Sequence, residues 1–410
     1  MKLLLKYQRS VGAASNGFGA LFINMSLLRS FDSSRRRFYK YAAPTELWIC
    51  AAVFLAGITL SGCSDSNGNR SEIVFPVHSK FFTHVEIIGS RGTGAGQFNK
   101  PRSLALDKND NLFVVDMTGR VQKFSSNGVF LTSWQMPQTD LGKPKGMTRD
   151  LDGNIVVVEP HYMRVNHFSP DGKMISQWGI KGTNEGQLMF PRSVAVNSRG
   201  ELFVTEYGLV ERVQHFSRDG KTFLNSIGKP GEGAGEFNRA EGLGIDSKDQ
   251  IYVADSCNHR VQIFSDDGKF LSSFGKAGSG LGELSYPYDV RVDAKGFRFV
   301  CEFGNSRVQI FDEKNQPVEI LGNAGGAPGQ FANPWSIDLD SHGNLYVADA
   351  LNHRVQKFVR RERVAPASGG SVAIKTNIFL ATESYPPEAG VTRRKENFVF
   401  THPRDAGATR

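Results

Sequence analysis

The sequence predicts an all-β protein whose central part is a six-bladed β-propeller, a closed ring of six similar four-stranded sheets. An Arg-Val pair recurs six times, and the successive arginines are separated by 44, 48, 48, 47 and 47 residues. Short segments of β-forming residues alternate with turns rich in Gly, Asn and Asp, and residues 80–360 show no helical period. Units of this length bury their apolar faces only against neighbouring copies, which favours a ring of stacked sheets.

The N-terminal 62 residues are predicted to be an export signal. The basic stretch 34–40 precedes an apolar run from Leu47 to Leu60, which is shorter than a membrane-spanning helix. The run ends in Leu60-Ser61-Gly62-Cys63, which resembles a bacterial lipobox, so we expect Cys63 to be lipidated. The string 34–40 also resembles a twin-arginine export motif. Met25 is an alternative start, and an uncleaved membrane anchor is the alternative interpretation of the apolar run.

The positive charge of the chain is concentrated at its two ends. The formal net charge is +8, of which residues 1–62 carry +6 and residues 361–410 carry +3. The central 298 residues therefore carry −1. Because a nucleic-acid-binding face needs clustered Lys and Arg, we expect no nucleic-acid partner. The expected location is a membrane, facing the periplasm or the cell surface, where the lipid holds the chain.

Residues 83–360 contain the repeats, after a linker at residues 63–82. In the fourth copy, strand a is predicted from Gly242, strand b from Ile251, strand c from Arg260 and strand d from Phe270. A Gly-rich link then leads to the next copy. The six predicted repeats cover approximately residues 96–136, 141–180, 186–228, 235–275, 282–322 and 329–360.

The ring is predicted to close through its first strand. The sixth copy has strands a, b and c but no clear strand d, whereas residues 83–89 look like a strand d without a blade. We therefore expect residues 83–89 to complete the sixth blade, because closure removes exposed sheet edges. The tail at 361–410 lacks the repeat and is expected to be mostly disordered. Cys257 and Cys301 are interpreted as free thiols, with a disulfide as the alternative in an exported protein.

The repeat resembles that of NHL-repeat propellers. The strings Asn-His-Arg-Val-Gln at 258–262 and 352–356 look like the signature of that family, as do Gly-Gln-Phe at 96–98 and 329–331. The resemblance covers residues 83–360 and implies a six-bladed propeller. It is weak for function, because the family includes protein-binding scaffolds, RNA-binding modules and a zinc lyase.

An acid that ends strand b and an arginine that begins strand c recur in all six copies. A carboxylate and a guanidinium at the two ends of a short loop can pair, so we interpret these residues as structural braces. The pairs are Asp116 and Arg120, Glu159 and Arg164, Glu206 and Arg212, Asp255 and Arg260, Glu302 and Arg307, and Asp349 and Arg354. His259 and His353 belong to the same loop and are also interpreted as structural.

The residue that follows the first position of strand a differs from copy to copy. In a propeller, strand a lines the central channel, so these side chains are predicted to ring the channel mouth. The six are Arg102, Lys145, Arg192, Glu241, Tyr288 and Trp335. Cations and aromatic side chains are common binding anchors. We therefore expect a protein partner, or a small anionic or sugar-like ligand, at this mouth; a solvated rim without a ligand is the alternative.

An enzyme is the alternative functional class. The blades resemble those of peptidyl-hydroxyglycine amidating lyases, which would imply zinc held by channel histidines, and lactonase propellers would imply calcium. None of the six mouth positions is a histidine, and Glu241 and Asp289 alone would supply few oxygen ligands. His167 and His215 occupy equivalent positions on strand c, where we expect them to face outward. We predict no catalytic residue, metal or cofactor, and a non-enzymatic binding or scaffolding role.

Overall fold

The computed structural model describes residues 74–362. These residues form six antiparallel sheets, five with four strands and one with five. Strand a of each blade contacts strand a of the next blade, and strand a of blade 6 contacts that of blade 1. The predicted six-bladed propeller is therefore confirmed.

The strand bounds follow the repeats. In the order a to d, they are Pro101–Leu106, Leu112–Asp116, Arg120–Phe124 and Phe130–Gln135 in blade 1; Met147–Arg149, Ile155–Glu159, Arg164–Phe168 and Met174–Trp178 in blade 2; Pro191–Val196, Leu202–Glu206, Arg212–Phe216 and Phe223–Ile227 in blade 3; Ala240–Ile245, Ile251–Asp255, Arg260–Phe264 and Phe270–Phe274 in blade 4; Pro287–Val292, Arg298–Glu302, Arg307–Phe311 and Pro317–Leu321 in blade 5; and Pro334–Leu339, Leu345–Asp349, Arg354–Arg360 and Phe82–Ile88 in blade 6. Three-residue 3₁₀ turns at Pro160–Tyr162, Ser256–Asn258 and Ala350–Asn352 join strands b and c.

The N-terminal strand closes the ring, as predicted. Phe82–Ile88 pairs antiparallel with strand c of blade 6, with Val85 opposite Phe358 and Ile88 opposite Val355. The short strand Phe75–Pro76, which the sequence did not indicate, then pairs with the outer side of this closing strand. The last blade therefore has a covered outer edge.

The core lies between neighbouring blades. Strand b is buried along its whole length in every blade. One typical cluster joins Tyr252 and Val261 of blade 4 to Val290 and Phe311 of blade 5. Because each sheet buries its apolar face against the next sheet, the ring positions the six strands a, and with them the channel mouth.

The predicted export signal, the lipidation of Cys63 and almost all of the C-terminal tail lie outside the described residues. Within residues 74–362, no helix is long and apolar enough to cross a membrane. Cys257 and Cys301 are both free thiols in the structure.

Candidate functional site

The six variable side chains predicted at the channel mouth line one pocket; five lie within their strands a, and Lys145 lies two residues before its strand. We call this set the mouth ring: Arg102, Lys145, Arg192, Glu241, Tyr288 and Trp335. Repetition of the blade explains the convergence, because each strand a enters the sheet at the same end of the channel. In five blades the residue just before strand a has a left-handed backbone conformation, with φ between 46° and 65°. These five residues are Lys100, Phe190, Arg239, Tyr286 and Asn333.

One carboxylate holds three cations at the mouth. Glu241 is 2% exposed and accepts a hydrogen bond from Arg192 Nε at 3.1 Å. Lys145 Nζ lies 3.4 Å from Glu241 Oε2, and Arg239 Nε lies 2.7 Å from Glu241 Oε1. Burial of charged groups is costly unless they are paired, so this cluster depends on Glu241. Alignment of the six repeats did not indicate Arg239. This residue lies just before strand a, and its left-handed backbone directs its side chain to the mouth.

Arg102 is the fourth cation of the mouth, and it has no carboxylate within salt-bridge distance among residues 74–362. Its Nη1 donates weakly to the Lys143 carbonyl oxygen at 3.5 Å, and its buried Nε has no partner in this part of the chain. The guanidinium lies 4.5 Å from the ring centroid of Trp335, while Lys145 Nζ lies 4.4 Å from the same centroid. The indole ring of Trp335 therefore makes cation–π contacts with two neighbouring cations.

Burial and crowding shift the pKa values of the mouth ring. Burial lowers the pKa of Lys145 to about 7, although Glu241 opposes the shift. Burial also lowers the pKa of Arg102 to about 10, and repulsion by Arg192 adds to this effect. Burial alone would raise the pKa of Glu241, but the charges of Lys145 and Arg192 outweigh it and hold the value at about 2. The carboxylate is therefore ionised and Lys145 titrates near neutral pH.

The mouth is nearly filled by its own side chains. The space between them is about 20 Å³, which is room for about one water molecule. Below it, Asp289 pairs with Arg291 Nη1 at 2.6 Å and accepts a hydrogen bond from the Ser336 hydroxyl at 2.8 Å. Arg291 also contacts Asp338 at 3.3 Å. A whole sugar ring does not fit among these side chains without their rearrangement, whereas a single carboxylate group could enter this space from above.

Each acid and arginine pair of the b–c loops is in contact. The nitrogen–oxygen distances are 3.5 Å for Arg120–Asp116, 2.5 Å for Arg164–Glu159, 2.7 Å for Arg212–Glu206, 2.8 Å for Arg260–Asp255, 2.6 Å for Arg307–Glu302 and 2.8 Å for Arg354–Asp349. In blade 4, Asp255 also accepts hydrogen bonds from Gln262 and Asn258, and Arg260 donates to the carbonyl oxygen of Glu236 in the preceding link. The pairs thus tie each loop to the Gly-rich link.

The histidines of the loops bind between blades. His353 Nδ1 accepts a hydrogen bond from the Lys100 amide at 3.2 Å, and His259 Nδ1 accepts one from the Tyr286 amide at the same distance. The expectation that His167 and His215 face outward is wrong. Both are buried, because His215 stacks on Phe203 with centroids 4.0 Å apart and His167 bonds to Trp178 and lies near Asp150.

A divalent metal does not fit the mouth ring. Glu241 is surrounded by cations and Asp289 is bound to Arg291, so neither carboxylate is available as a ligand without losing a partner. Within the described range, no three His, Cys, Asp or Glu side chains lie together in a group that could hold a metal ion.

Comparison with known proteins identifies the repeat. The NHL repeat model matches residues 237–264 and 331–358. Protein brain tumor of Drosophila melanogaster is 30% identical over 127 residues, which are 31% of this chain and 12% of that protein. NHL repeat-containing protein 3 of Mus musculus is 28% identical over 216 residues, which are 48% of this chain and 57% of that protein. The chain therefore spans about half or less of these curated relatives.

Solved structures share the fold at low sequence identity. A gluconolactonase from Xanthomonas campestris has a TM-score of 0.51 and 14% identity, over 72% of this chain and 99% of that chain. Likeness at this level concerns the fold alone. This chain therefore contains NHL repeats at residues 237–264 and 331–358 and folds as a six-bladed β-propeller.

Proposed function

We propose that this chain is an exported, lipid-anchored binding module whose channel mouth holds an acidic group of a partner protein. The role is binding or scaffolding, not catalysis. The observation that carries the proposal is the imbalance at the mouth, where three cationic side chains share the carboxylate of Glu241 and a fourth, Arg102, has no acidic partner within the described range.

The charge arrangement favours an anion over a cation or a neutral ligand. The cations are fixed by burial, by contact with the Trp335 ring and by the shared carboxylate of Glu241. They are therefore already oriented before a partner binds. Preorganised charges pay less ordering cost on binding. A partner carboxylate placed over Arg102 would complete the pairing and relieve the repulsion between Arg102 and Arg192.

The narrow space supports a side-chain carboxylate as the bound group. About one water molecule fits among the ring side chains, which is comparable to the end of an Asp or Glu side chain and much smaller than a sugar ring. The partner itself would then lie on the face of the propeller where the b–c loops and the links meet. Protein partners recognised through a few anchoring side chains are common for such surfaces.

The decisive experiment compares retention of native partners by variants of the full chain. Arg102→Ala with Arg192→Ala removes two cations, and Lys145→Met keeps the length of the side chain but removes its charge. We expect both variants to lose partners that the native chain retains at low salt. The matched control is Lys221→Ala with Lys269→Ala, because both lysines are exposed in c–d turns, at the end of the blades opposite the b–c loops and the links. Equal retention by the mouth variants and the control would refute the proposal.

The membrane anchor is tested separately. We propose that the thiol of Cys63 carries the lipid, because it follows Leu60-Ser61-Gly62 after the apolar run. Cys63→Ser should move the chain from the membrane fraction to the soluble fraction. If the variant stays in the membrane fraction, then an uncleaved anchor replaces the lipid in this account.

A further inference from the structure

Blade 2 departs from the repeat at the face that carries the mouth. Five of the six links into strand a form a short parallel pairing within the described residues: 90–91 with 97–98, 181 with 188, 229–230 with 236–237, 277 with 284, and 324 with 331. The link into blade 2, residues 136–146, has no such pairing in this part of the chain. The b–c loop of the same blade has Tyr162-Met163 where blades 4 and 6 have Asn-His.

The unusual link and the unusual loop hold each other. The Leu141 amide donates to Tyr162 Oη at 3.0 Å, and Arg164 Nη1 donates to Gln138 Oε1 at 2.9 Å. Gly142 lies against the ring of His161 so closely that a Cβ at this position would lie 2.0 Å from His161 Cδ2. Two departures that fit together in this way form a defined surface, and only glycine fits at the point of closest contact.

These residues join aromatic side chains of blade 3. We call the combined surface the ledge and define it by Leu141, His161, Tyr162, Phe190, Tyr207 and Leu209. The Phe190 ring lies 6.1 Å from that of His161 and 5.8 Å from that of Tyr207, measured between centroids. Leu141 is 70% exposed and Leu209 is 74% exposed. Single exposed leucines are ordinary, but a group of aromatic rings in mutual contact, with exposed leucines on the neighbouring loops, is typical of a contact surface.

Within the described residues, the junction between blades 2 and 3 also lacks a polar contact that four of the other five junctions have. At other junctions a side chain of one blade accepts the amide of the left-handed residue of the next: His353 to Lys100, Glu211 to Arg239, His259 to Tyr286 and Ser306 to Asn333. At this junction Met163 takes the equivalent position and is 6% exposed. The apolar side chain of Met163 therefore takes the place of a hydrogen-bond acceptor, in the core cluster against which Phe190 packs. The buried side of the ledge is thus apolar as well.

Arg192 connects the ledge to the mouth ring. Its guanidinium lies 4.3 Å from the ring centroid of Tyr207 and also binds Glu241. The apolar surface and the cationic mouth are thus neighbours that share one side chain. A ligand that spans both would present an acidic group and an apolar group a few ångströms apart.

We propose that the ledge and the mouth ring together bind one linear peptide segment of a partner protein, which carries an Asp or Glu and, two residues away, an aromatic or aliphatic residue. This inference rests on the proposed function and adds the second anchor. In an extended peptide, side chains on the same face are two residues, or about 7 Å, apart, which suits two adjacent subsites. The acidic side chain lies over Arg102 and Lys145, and the apolar side chain lies on Phe190 and Tyr207.

The ledge favours a peptide over an acidic polysaccharide. A saccharide needs hydrogen-bonding groups around its ring hydroxyls, whereas the rim of the ledge ends in the aliphatic side chains of Leu141 and Leu209. The mouth also lacks the volume for a sugar ring. Both properties suit amino-acid side chains.

The test is selection of random 12-residue peptides displayed on phage against the immobilised full chain at pH 6. We expect enrichment of sequences with an acidic residue two positions from Phe, Tyr, Trp, Leu or Ile. The affinity of synthetic versions of the selected peptides is then measured by fluorescence anisotropy for the native chain and for three variants. Leu141→Ser with Leu209→Ser alters only exposed side chains of the ledge, and Lys145→Met alters the mouth. Leu271→Ser with Ile320→Ser is the matched control, because both residues are exposed on outer strands of other blades.

The outcomes separate the two proposals. Binding weakened about tenfold by the ledge variant and by the mouth variant, but not by the control, is the expected result. If only the mouth variant loses binding, then the ledge inference is wrong and the proposed function stands. If the selected peptides lack acidic residues, or if all three variants bind equally, then both are wrong. Binding of an acidic polysaccharide such as alginate, without any peptide enrichment, would also overturn the peptide assignment.

Discussion

The mouth ring depends on Glu241, so the substitution Glu241→Gln tests its electrostatics most simply. Gln keeps the shape of the side chain and removes the only carboxylate that Lys145, Arg192 and Arg239 share at the mouth in the described structure. The variant leaves buried cations without a counter-charge. Removal of one partner from a buried ion pair typically costs about 3–5 kcal/mol.

The pKa of Glu241 gives a second measure of the stability that Glu241→Gln removes. The pKa of Glu241 falls from its ordinary 4.5 to about 2 in the folded chain. At about 1.4 kcal/mol for each unit, the carboxylate contributes about 3 kcal/mol of stability. This contribution is fully present above pH 4.5 and is lost as the pH falls toward 2, because the folded pKa lies below the unfolded one. The two magnitudes agree, so we expect a loss of about 3 kcal/mol at neutral pH.

The loss should also depend on pH through Lys145. Burial lowers its pKa to about 7, so in the folded native chain this amine is mostly charged at pH 6 and mostly neutral at pH 9. Without Glu241 the pKa of Lys145 falls further, because the carboxylate was the group that raised it. Protonation in the variant then costs more, and the destabilisation is larger at pH 6 than at pH 9.

Urea unfolding of the full chain, followed by tryptophan fluorescence at pH 6, 7.5 and 9, measures these differences. Glu232→Gln is the control, because Glu232 is exposed and surface substitutions usually change stability by less than about 0.5 kcal/mol. An unchanged unfolding midpoint for Glu241→Gln would refute the electrostatic account of the mouth. A loss that is the same at pH 6 and pH 9 would refute the role assigned to Lys145.

Three further substitutions test the ring and its braces by the same unfolding assay. Phe82→Ala should lower the free energy of unfolding by about 3–5 kcal/mol, because this fully buried ring of the closing strand packs against Phe358 and Phe299. A loss below about 1 kcal/mol would mean that closure of the ring by this strand contributes little to stability. Asp255→Ala should destabilise the fold by about 3–5 kcal/mol, because Arg260 and Gln262 lose their buried acceptor. Asp255→Asn keeps an acceptor oxygen but removes the charge, and it should destabilise the fold less than Asp255→Ala; no loss of stability in Asp255→Asn would argue against a charge-assisted brace. His353→Ala removes the acceptor of the Lys100 amide between blades 6 and 1, and it should lower the free energy of unfolding by about 1 kcal/mol. His342→Ala, at an exposed turn, is the control and should leave the free energy of unfolding unchanged.

The repeat made the architecture predictable from the sequence. The period located the six blades, and the missing strand d of the sixth copy indicated the closing strand, which runs from Phe82 to Ile88. The strand Phe75–Pro76 was not predictable, because two residues with one proline carry no period and pair only after the closing strand is in place. Alignment of the copies also brought the six positions of the mouth ring together before their contacts were known.

The contacts within the mouth could not be derived from the repeat. Lys145 reaches from blade 2 to Glu241 in blade 4, and such reach depends on side-chain conformations that the period does not encode. Arg239 was missed because its position is a loop residue in the repeat, whereas its left-handed backbone directs it to Glu241. The ledge had a signal in the sequence, since Tyr162-Met163 interrupts the Asn-His pattern, but its meaning required the contact with Leu141.

The most direct test of the central claim, a cationic mouth that holds an acidic group, is calorimetric titration of the full chain with poly-L-glutamate at pH 6 and pH 9. Because Lys145 loses its charge as the pH rises through about 7, we predict binding at pH 6 that weakens severalfold at pH 9. Lys145→Met should bind weakly at both values, with no such change. Binding of equal strength at both pH values in the native chain and in Lys145→Met, or no binding to the native chain at pH 6, would contradict the account.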